Sequence, residues 1–295
     1  RAPGQRRGVP GMVQGQRREV LTTRRCAVLG SPIEHSLSPA IHRAAYAHLG
    51  LDWSYGRYEV VAAELPDFVV ELDDSWRGLS CTMPLKHAVV PLGQPDEIVT
   101  ALGVGNTLVF DGHPSDPSTT RVRNTDVLGL EAALRGADAA NARSAVIVGN
   151  GATARSALAA AARLGVTHVT VLARDPRKTN ALVELGERLG VAVEHEQLGG
   201  TVPAVDIALS TVPAEAQRDV AHAVASSASV VFDAVYDPWP TPLALAVIDA
   251  HRAVLLNGLD LLAWQAVFQV ELFTGETVPV TVLLDAAHEA LARRA

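Results

Sequence analysis

Ser144-Ala145-Val146-Ile147-Val148-Gly149-Asn150-Gly151-Ala152-Thr153-Ala154 is a short apolar run that stops on a glycine-rich turn and passes into an alanine-rich stretch ending near Leu164. A brief apolar segment bounded by Gly suits a buried strand, and the alanine run suits a helix. The turn reads G-x-G-x-x-A. Its first Gly permits a tight turn, its second lets backbone N–H groups approach a pyrophosphate, and the small Ala154 lets the helix pack closely. Strand, turn and helix in this order predict a dinucleotide-binding unit, with Gly149, Asn150, Gly151, Ala152 and Thr153 at the cofactor. The plain alternative is a tight turn with no ligand.

Outward from that stretch, apolar segments recur at Val169 to Leu172, Val191 to Val193, Ile207 to Ser210, Val230 to Phe232 and Val254 to Leu256, with helical segments between several of them. Such alternation implies a parallel, doubly wound sheet. After Gly258 the residues Leu259, Leu262, Ala263, Ala266, Val267 and Val270 fall on one helical face, and this region is expected to pack back on the N-terminal part. Upstream, Cys26 to Leu29, Trp53 to Val61, Gly78 to Thr82 and Thr107 to Phe110 read as strands, and Asp111 to Thr120 as a hairpin or loop. Ser38-Pro39 reads as a helix start, with Ser38 at the N-cap. The predicted fold class is α/β: an N-terminal α/β substrate domain over residues 25–125, completed by 259–295, plus a Rossmann-type doubly wound dinucleotide-binding domain over 126–258. Residues 1–24, rich in Arg, Gly, Gln and Pro, read as a disordered leader.

A chain of 295 residues with 48% hydrophobic and 19% charged residues can bury two cores. No apolar run reaches the ~18 residues of a membrane-spanning helix, so no membrane partner is expected. Residues 1–25 hold seven Arg and one Glu, net +6, which leaves 18 basic and 31 acidic residues, net −13, in the remainder. An acidic body argues against nucleic acid as a partner. Two cysteines, Cys26 and Cys81, are too few for a disulfide framework and suit a reducing, cytoplasmic setting. The His residues show no metal-ligand spacing, and no metal site is predicted. Of the 25 basic residues only Lys86 and Lys178 are lysines. Those two positions therefore invite a role that Arg cannot fill.

The strand ending at Leu172 runs into Ala173-Arg174-Asp175-Pro176-Arg177-Lys178, where dinucleotide folds choose their cofactor. Ala173 leaves the usual carboxylate position empty, and Arg174 with Lys178 can clamp the 2′-phosphate of NADP. Asp175 leans instead toward the ribose hydroxyls of NAD. A solvated charge cluster is the plain alternative.

Several further patches combine with the glycine turn: Gly30-Ser31-Pro32-Ile33-Glu34-His35-Ser36-Leu37-Ser38-Pro39, Gly78-Leu79-Ser80-Cys81-Thr82-Met83-Pro84-Leu85-Lys86, Gly105-Asn106-Thr107-Leu108, Asn124-Thr125-Asp126 and Gly258 to Gln265. In this order they resemble the shikimate dehydrogenase family, from about Arg25 to the C-terminus. The resemblance implies reversible NADPH-dependent reduction of 3-dehydroshikimate to shikimate in chorismate biosynthesis, in a cleft between a substrate domain and a Rossmann-type domain. It implies Lys86 and Asp126 as the catalytic pair. Ser36, Ser38, Thr82, Asn106, Tyr236 and Gln265 would face the substrate, and Thr211, Val235 and Gly258 would join the cofactor set. A monomer or a homodimer fits the reading. The chain departs from the family at Ser80, where Asn is usual, at Cys81 in place of Val, at Ala173-Arg174-Asp175 and at Ser210-Thr211-Val212-Pro213.

Residue chemistry points the same way. Hydride delivered to a ring ketone builds negative charge on oxygen, and a donor within ~3 Å must meet it. Lys can release that proton, whereas Arg, with a pKa above ~12, effectively cannot. Each residue also has a plainer reading: Ser38 as N-cap, Asp126 as cap of a helix beginning at Val127, Gln265 solvated off the apolar stripe, and His35 and His42 in turn and helix packing. The rival functions are an NAD-dependent quinate/shikimate dehydrogenase and a catalytically silent sensor of shikimate-like acids.

Overall fold

The computed structural model describes residues 23–294. All but the last two residues of the expected leader lie outside the described residues. Along the first part run β1 (Arg25–Gly30), α1 (Ser38–His48), β2 (Ser54–Glu59), α2 (Leu65–Val70), β3 (Trp76–Cys81), β4 (Gln94–Pro95), α3 (Glu97–Leu102), β5 (Thr107–Phe110), β6 (Thr120–Arg123) and α4 (Thr125–Gly136). Their strands form a six-stranded sheet in the order β2-β1-β3-β5-β6-β4. β1 is parallel to β2 and β3, while β5 is antiparallel to both β3 and β6, the latter pair closed by the 111–119 loop.

The second part holds β7 (Ser144–Val148), α5 (Ala152–Leu164), β8 (His168–Ala173), α6 (Asn180–Leu189), β9 (Ala192–Gln197), β10 (Ile207–Ser210), α7 (Ala221–Ser227), β11 (Val230–Asp233), α8 (Pro242–Ala250) and β12 (Val254–Asn257). These strands form a wholly parallel sheet, order β12-β11-β10-β7-β8-β9. Winding runs outward from β7 to β9, then returns to β10 and runs the other way. The reversal opens a crevice beyond the C-terminal ends of β7 and β10, where open α/β sheets bind ligands. Helices α9 (Gly258–Thr274) and α10 (Val280–Ala292) follow.

Alternation of side chains builds the cores. In β1, Cys26 and Val28 join a cluster with Ile41 and Tyr46 of α1, Ala263, Val270 and Phe273 of α9, and Leu283 and Ala287 of α10; Ala27 and Leu29 face the opposite cluster with Leu65, Leu79 and Leu85. The chain after Gly258 thus packs on the first sheet, as its periodicity implied. In β7, Ala145 and Ile147 face α5, and Val146 and Val148 face the cluster built on α7 and α8.

α4 carries the chain from the first sheet to the second, and α9 carries it back. The two helices pack against each other. At Gly129 an added Cβ would stand 2.6 Å from the backbone nitrogen of Gln265, so only glycine permits this approach. The helix pair brings residues of the first sheet, α4 and α9 around one volume.

Candidate active site

That volume is a cavity of about 330 Å³. Ser36, Ser38, Thr82, Lys86, Asn106, Asp126, Tyr236 and Gln265, the full predicted catalytic and substrate set, lie on its wall together with Gly258. Leu37, 1% exposed, pins the loop between the two serines. Leu37 also occupies the N-cap position of α1, so Ser38 is the first helical residue and makes no side-chain capping bond, contrary to the expected cap. The amide of Ser38 donates to Ser36 Oγ at 3.3 Å.

Lys86 follows β3 in a turn closed by the Leu85 amide donating to Thr82 O (2.7 Å), and its own carbonyl accepts from Gly105 N (2.8 Å). Leu85 is fully buried and anchors the turn. Lys86 Nζ donates to Asp126 Oδ2 at 2.6 Å, with side-chain exposures of only 15% and 10%. Asp126 does not cap its helix: Asn124 does, its Oδ1 accepting from Asp126 N (3.1 Å) and Val127 N (3.3 Å). The helix therefore begins at Thr125, two residues earlier than expected, and the Asp126 carboxylate is free for the cavity while sitting in the first turn, where the helix dipole favours negative charge. Its Oδ1 accepts from Asn106 Nδ2 at 2.9 Å. Gln265 is 6% exposed, which overturns the solvated reading; its Nε2 donates to Leu262 O (2.8 Å) and its Oε1 accepts from Thr125 Oγ1 (3.4 Å).

Tyr236 is half-buried, and burial pushes its phenol above the ordinary range. Its loop is tied down by Asp233, whose buried carboxylate accepts from Thr241 Oγ1 (2.6 Å), Gln217 Nε2 (3.0 Å) and Val235 N (3.2 Å). Burial raises the Asp233 pKa, and these donors oppose the rise. Neither Asp233 nor Gln217 was singled out from the sequence.

On the other side of the crevice, a cavity of about 200 Å³ is lined by Gly149, Asn150, Gly151, Arg174, Asp175, Lys178 and Thr211, among others. Ala152 and Thr153 are the first residues of α5 but are not on this wall. Gly149 has φ +107°, and a Cβ there would meet Thr211 Oγ1 at 2.6 Å. Gly151 faces open space and is the N-cap of α5 without a side-chain cap, so the first amides of the helix are available to a pyrophosphate. The residues present therefore fit a dinucleotide. Among the described residues neither Arg174 nor Lys178 is in a salt bridge, whereas Asp175 is engaged: its Oδ1 accepts from Arg177 N and Nε (3.1 Å each) and its Oδ2 from Arg177 Nη2 (3.2 Å). Those bonds, the Arg177 side chain foremost, lower its pKa.

A third cavity, about 560 Å³, is lined by His35, Thr211, Val212, Pro213, Ala234, Val235, Tyr236 and Asp237. It shares Thr211 with the nucleotide end and Tyr236 with the polar end, joining the two into one cleft. A larger hollow of about 1110 Å³ holds none of the predicted site residues, and its Arg77, Arg121 and Arg123 are already paired with Asp111 and Asp96.

A doubly wound nucleotide crevice that opens into a cavity with a Lys–Asp pair and further polar side chains on its wall defines a two-part α/β dehydrogenase. Residues 28–108 match the family model described as shikimate dehydrogenase substrate binding domain, and residues 258–288 match the one described as shikimate 5'-dehydrogenase C-terminal domain. A shikimate dehydrogenase (NADP(+)) of Methanocella arvoryzae is 33% identical over 275 residues, covering 90% of this chain and 98% of the relative. The crystal structure of Mycobacterium tuberculosis shikimate dehydrogenase superposes with a TM-score of 0.82 at 42% identity, covering 90% of this chain and 99% of that one. A Thermus thermophilus shikimate 5-dehydrogenase solved in complex with NADP(H) and shikimate has a TM-score of 0.76 at 27% identity, covering 91% of this chain and all of that one (100%). The chain belongs to the shikimate dehydrogenase family.

Proposed function

We propose that this chain is an NADP-dependent shikimate dehydrogenase, which reversibly reduces 3-dehydroshikimate to shikimate in chorismate biosynthesis. The observation that carries the reading is the Lys86–Asp126 pair, 2.6 Å apart on the wall of a polar cavity that is continuous with the nucleotide crevice. NADPH, when bound, supplies the hydride. Lys86 then gives a proton from Nζ to the oxygen on which charge develops, and in the reverse direction takes it back. Asp126 holds Nζ in place through Oδ2, while its other oxygen is held by Asn106. Ser36, Ser38 and Thr82 offer hydroxyls that suit the carboxylate and ring hydroxyls of the substrate, and Asn106, Tyr236 and Gln265 complete that set. The α5 amides take the pyrophosphate, Arg174 and Lys178 the 2′-phosphate, and Thr211, Val235 and Gly258 line the way to the reacting end.

NADP is favoured over NAD because the one carboxylate in the selecting loop, Asp175, is bound to Arg177. The division into a substrate domain, 25–125 with 259–295, and a nucleotide domain, 126–258, follows the two sheets. One chain supplies every wall of the cleft, so a monomer and a homodimer serve the reaction equally well. Among the described residues no helix is long and apolar enough to cross a membrane, and the buried free thiols of Cys26 and Cys81 suit a cytoplasmic enzyme.

The test is steady-state oxidation of shikimate and of quinate with NADP and with NAD, followed by nicotinamide absorbance. Turnover of shikimate chiefly with NADP is expected. Turnover of quinate with NAD would replace this reading, and ligand binding without turnover in any pairing would make the chain a sensor.

A further inference from the structure

We propose that Gln269 is a positioning residue for Asp126, acting through Thr107 and Asn106 at the end of a one-way chain of buried hydrogen bonds; this rests on the dehydrogenase reading above. Gln269 lies one turn beyond Gln265 on α9, at the floor of the polar cavity, and is 1% exposed. Its amide is committed to the protein. Tyr55 OH donates to Ser80 Oγ (2.6 Å), and Ser80 donates to Gln269 Oε1 (2.8 Å). Gln269 Nε2 donates to Thr107 Oγ1 (2.8 Å), Thr107 donates to Asn106 Oδ1 (2.8 Å), and Asn106 Nδ2 donates to Asp126 Oδ1 (2.9 Å).

Every proton in this chain points toward the carboxylate. Hydroxyls can donate or accept, and a side-chain amide can turn over, so the direction needs a fixed end. Tyr55 supplies it: the phenol is 1% exposed and burial pushes its pKa well up, so it keeps its proton, and among the described residues Ser80 Oγ is its one hydrogen-bond partner and hence the acceptor. With Ser80 receiving that proton, its own must go to Gln269 Oε1, which leaves the amide nitrogen facing Thr107. Thr107 must then donate to Asn106 Oδ1, so Asn106 presents its N–H groups, and not its oxygen, to Asp126. The Thr125 amide, donating to the same Oδ1 at 2.8 Å, is a second lock. Loss of the chain should therefore loosen Asp126 and not release it. Buried, aligned bonds of this kind polarise one another and act as a unit.

The test compares Gln269→Met, Thr107→Val, Thr107→Ser and the double variant Gln269→Met/Thr107→Val for shikimate oxidation, with melting temperatures recorded for each. The expected result is a fall in kcat of about 10-fold in each of the two disabling single variants with KM for NADP unchanged, since misplacement of a reacting group by a fraction of an ångström costs rate more than cofactor binding. The double variant should be no slower than the slower single, because both break one chain. Thr107→Ser, which keeps the hydroxyl, should come within about twofold of wild type. Lowered melting temperatures with wild-type kcat, multiplied losses in the double variant, or Thr107→Ser as slow as Thr107→Val would overturn the proposal. A wild type inactive on shikimate counts against the functional reading instead. In that event a crystal structure of Gln269→Met decides: an unchanged Asn106–Asp126 contact and Lys86–Asp126 separation overturn the positioning role, and a displaced Asp126 supports it.

Discussion

The two ends of the cleft are built on opposite principles. At the polar end Asn106, Asp126, Gln265 and Gln269 are each no more than 7% exposed, and each is held by at least one partner from a distant part of the chain. At the nucleotide end Arg174 and Lys178 are exposed on one short loop, and among the described residues the Asp175 side chain is bonded only by its near neighbour Arg177. A buried polar group costs free energy whenever a partner is lost, so the first end should respond to substitution steeply and non-additively. Exposed charges are screened by water and salt, so the second should respond weakly and site by site.

His42 offers the largest expected effect, and on stability. It is fully buried, stacked on Tyr55 at 4.0 Å between ring centroids, with Nδ1 bonded to Ser38 O (2.9 Å) and, among the described residues, no hydrogen-bond partner for Nε2. Burial lowers its pKa from 6.5 to about 4, so the folded protein holds it neutral. The unfolded chain binds this proton first as pH falls. Stability from this group is thus complete above pH ~6.5 and lost as pH falls toward ~4, by up to about 3 kcal/mol. Urea unfolding at pH 7.5 and pH 4.5 should show His42→Phe losing that much less on acidification than wild type. Equal losses in both would mean that the ring is not buried neutral.

Lys86→Ala comes next. It removes the proton donor, and kcat should fall by about 10²-fold or more, while NADPH binding, measured by quenching of nicotinamide fluorescence, changes little. Turnover close to wild type would sink the assignment of Lys86.

The polar and nucleotide ends also differ in how far the sequence discloses them. Turn chemistry is local, so Gly149-Asn150-Gly151 and the strand and helix on either side could be placed to the residue from their own composition. Lys86 and Asp126 stood out by type and motif, yet the reason Asp126 is free to act, capping of α4 by Asn124, depends on a choice between adjacent capping residues that sequence leaves open. A helix read by its apolar stripe hides the polar residues buried with it, and Gln269 is one of these. Two glutamines one turn apart, Gln265 and Gln269, amid the apolar residues of a mostly apolar helix were the available signal. Nothing local distinguishes Tyr55, which reaches Ser80 across 25 residues, while Ser80 meets Gln269 across 189. Polar satisfaction in a core is a tertiary property, and it becomes visible only once the strands and α9 are brought together.

At the nucleotide end, Arg174→Ala should weaken NADPH binding about 10-fold and NADH binding hardly at all, since only the former carries the phosphate that a guanidinium pairs with. Equal weakening of both would show that Arg174 does not read the phosphate. The smallest effect sharpens the contrast most. Arg177 occupies both oxygens of Asp175, and its side chain is 89% exposed. Arg177→Ala should leave Asp175 open to ribose hydroxyls and raise kcat/KM with NAD relative to NADP by about two- to threefold, the scale of an exposed ion pair. Asp175→Asn in the same background should cancel the gain, because an amide is a weaker acceptor for two hydroxyls than a carboxylate. A ratio unmoved by Arg177→Ala would mean that the Asx turn alone, through the Arg177 amide, holds the carboxylate away from the cofactor. A shift far above threefold would mean that the loop is coupled like the polar end, and the division between an interlocked half and an additive half would fail.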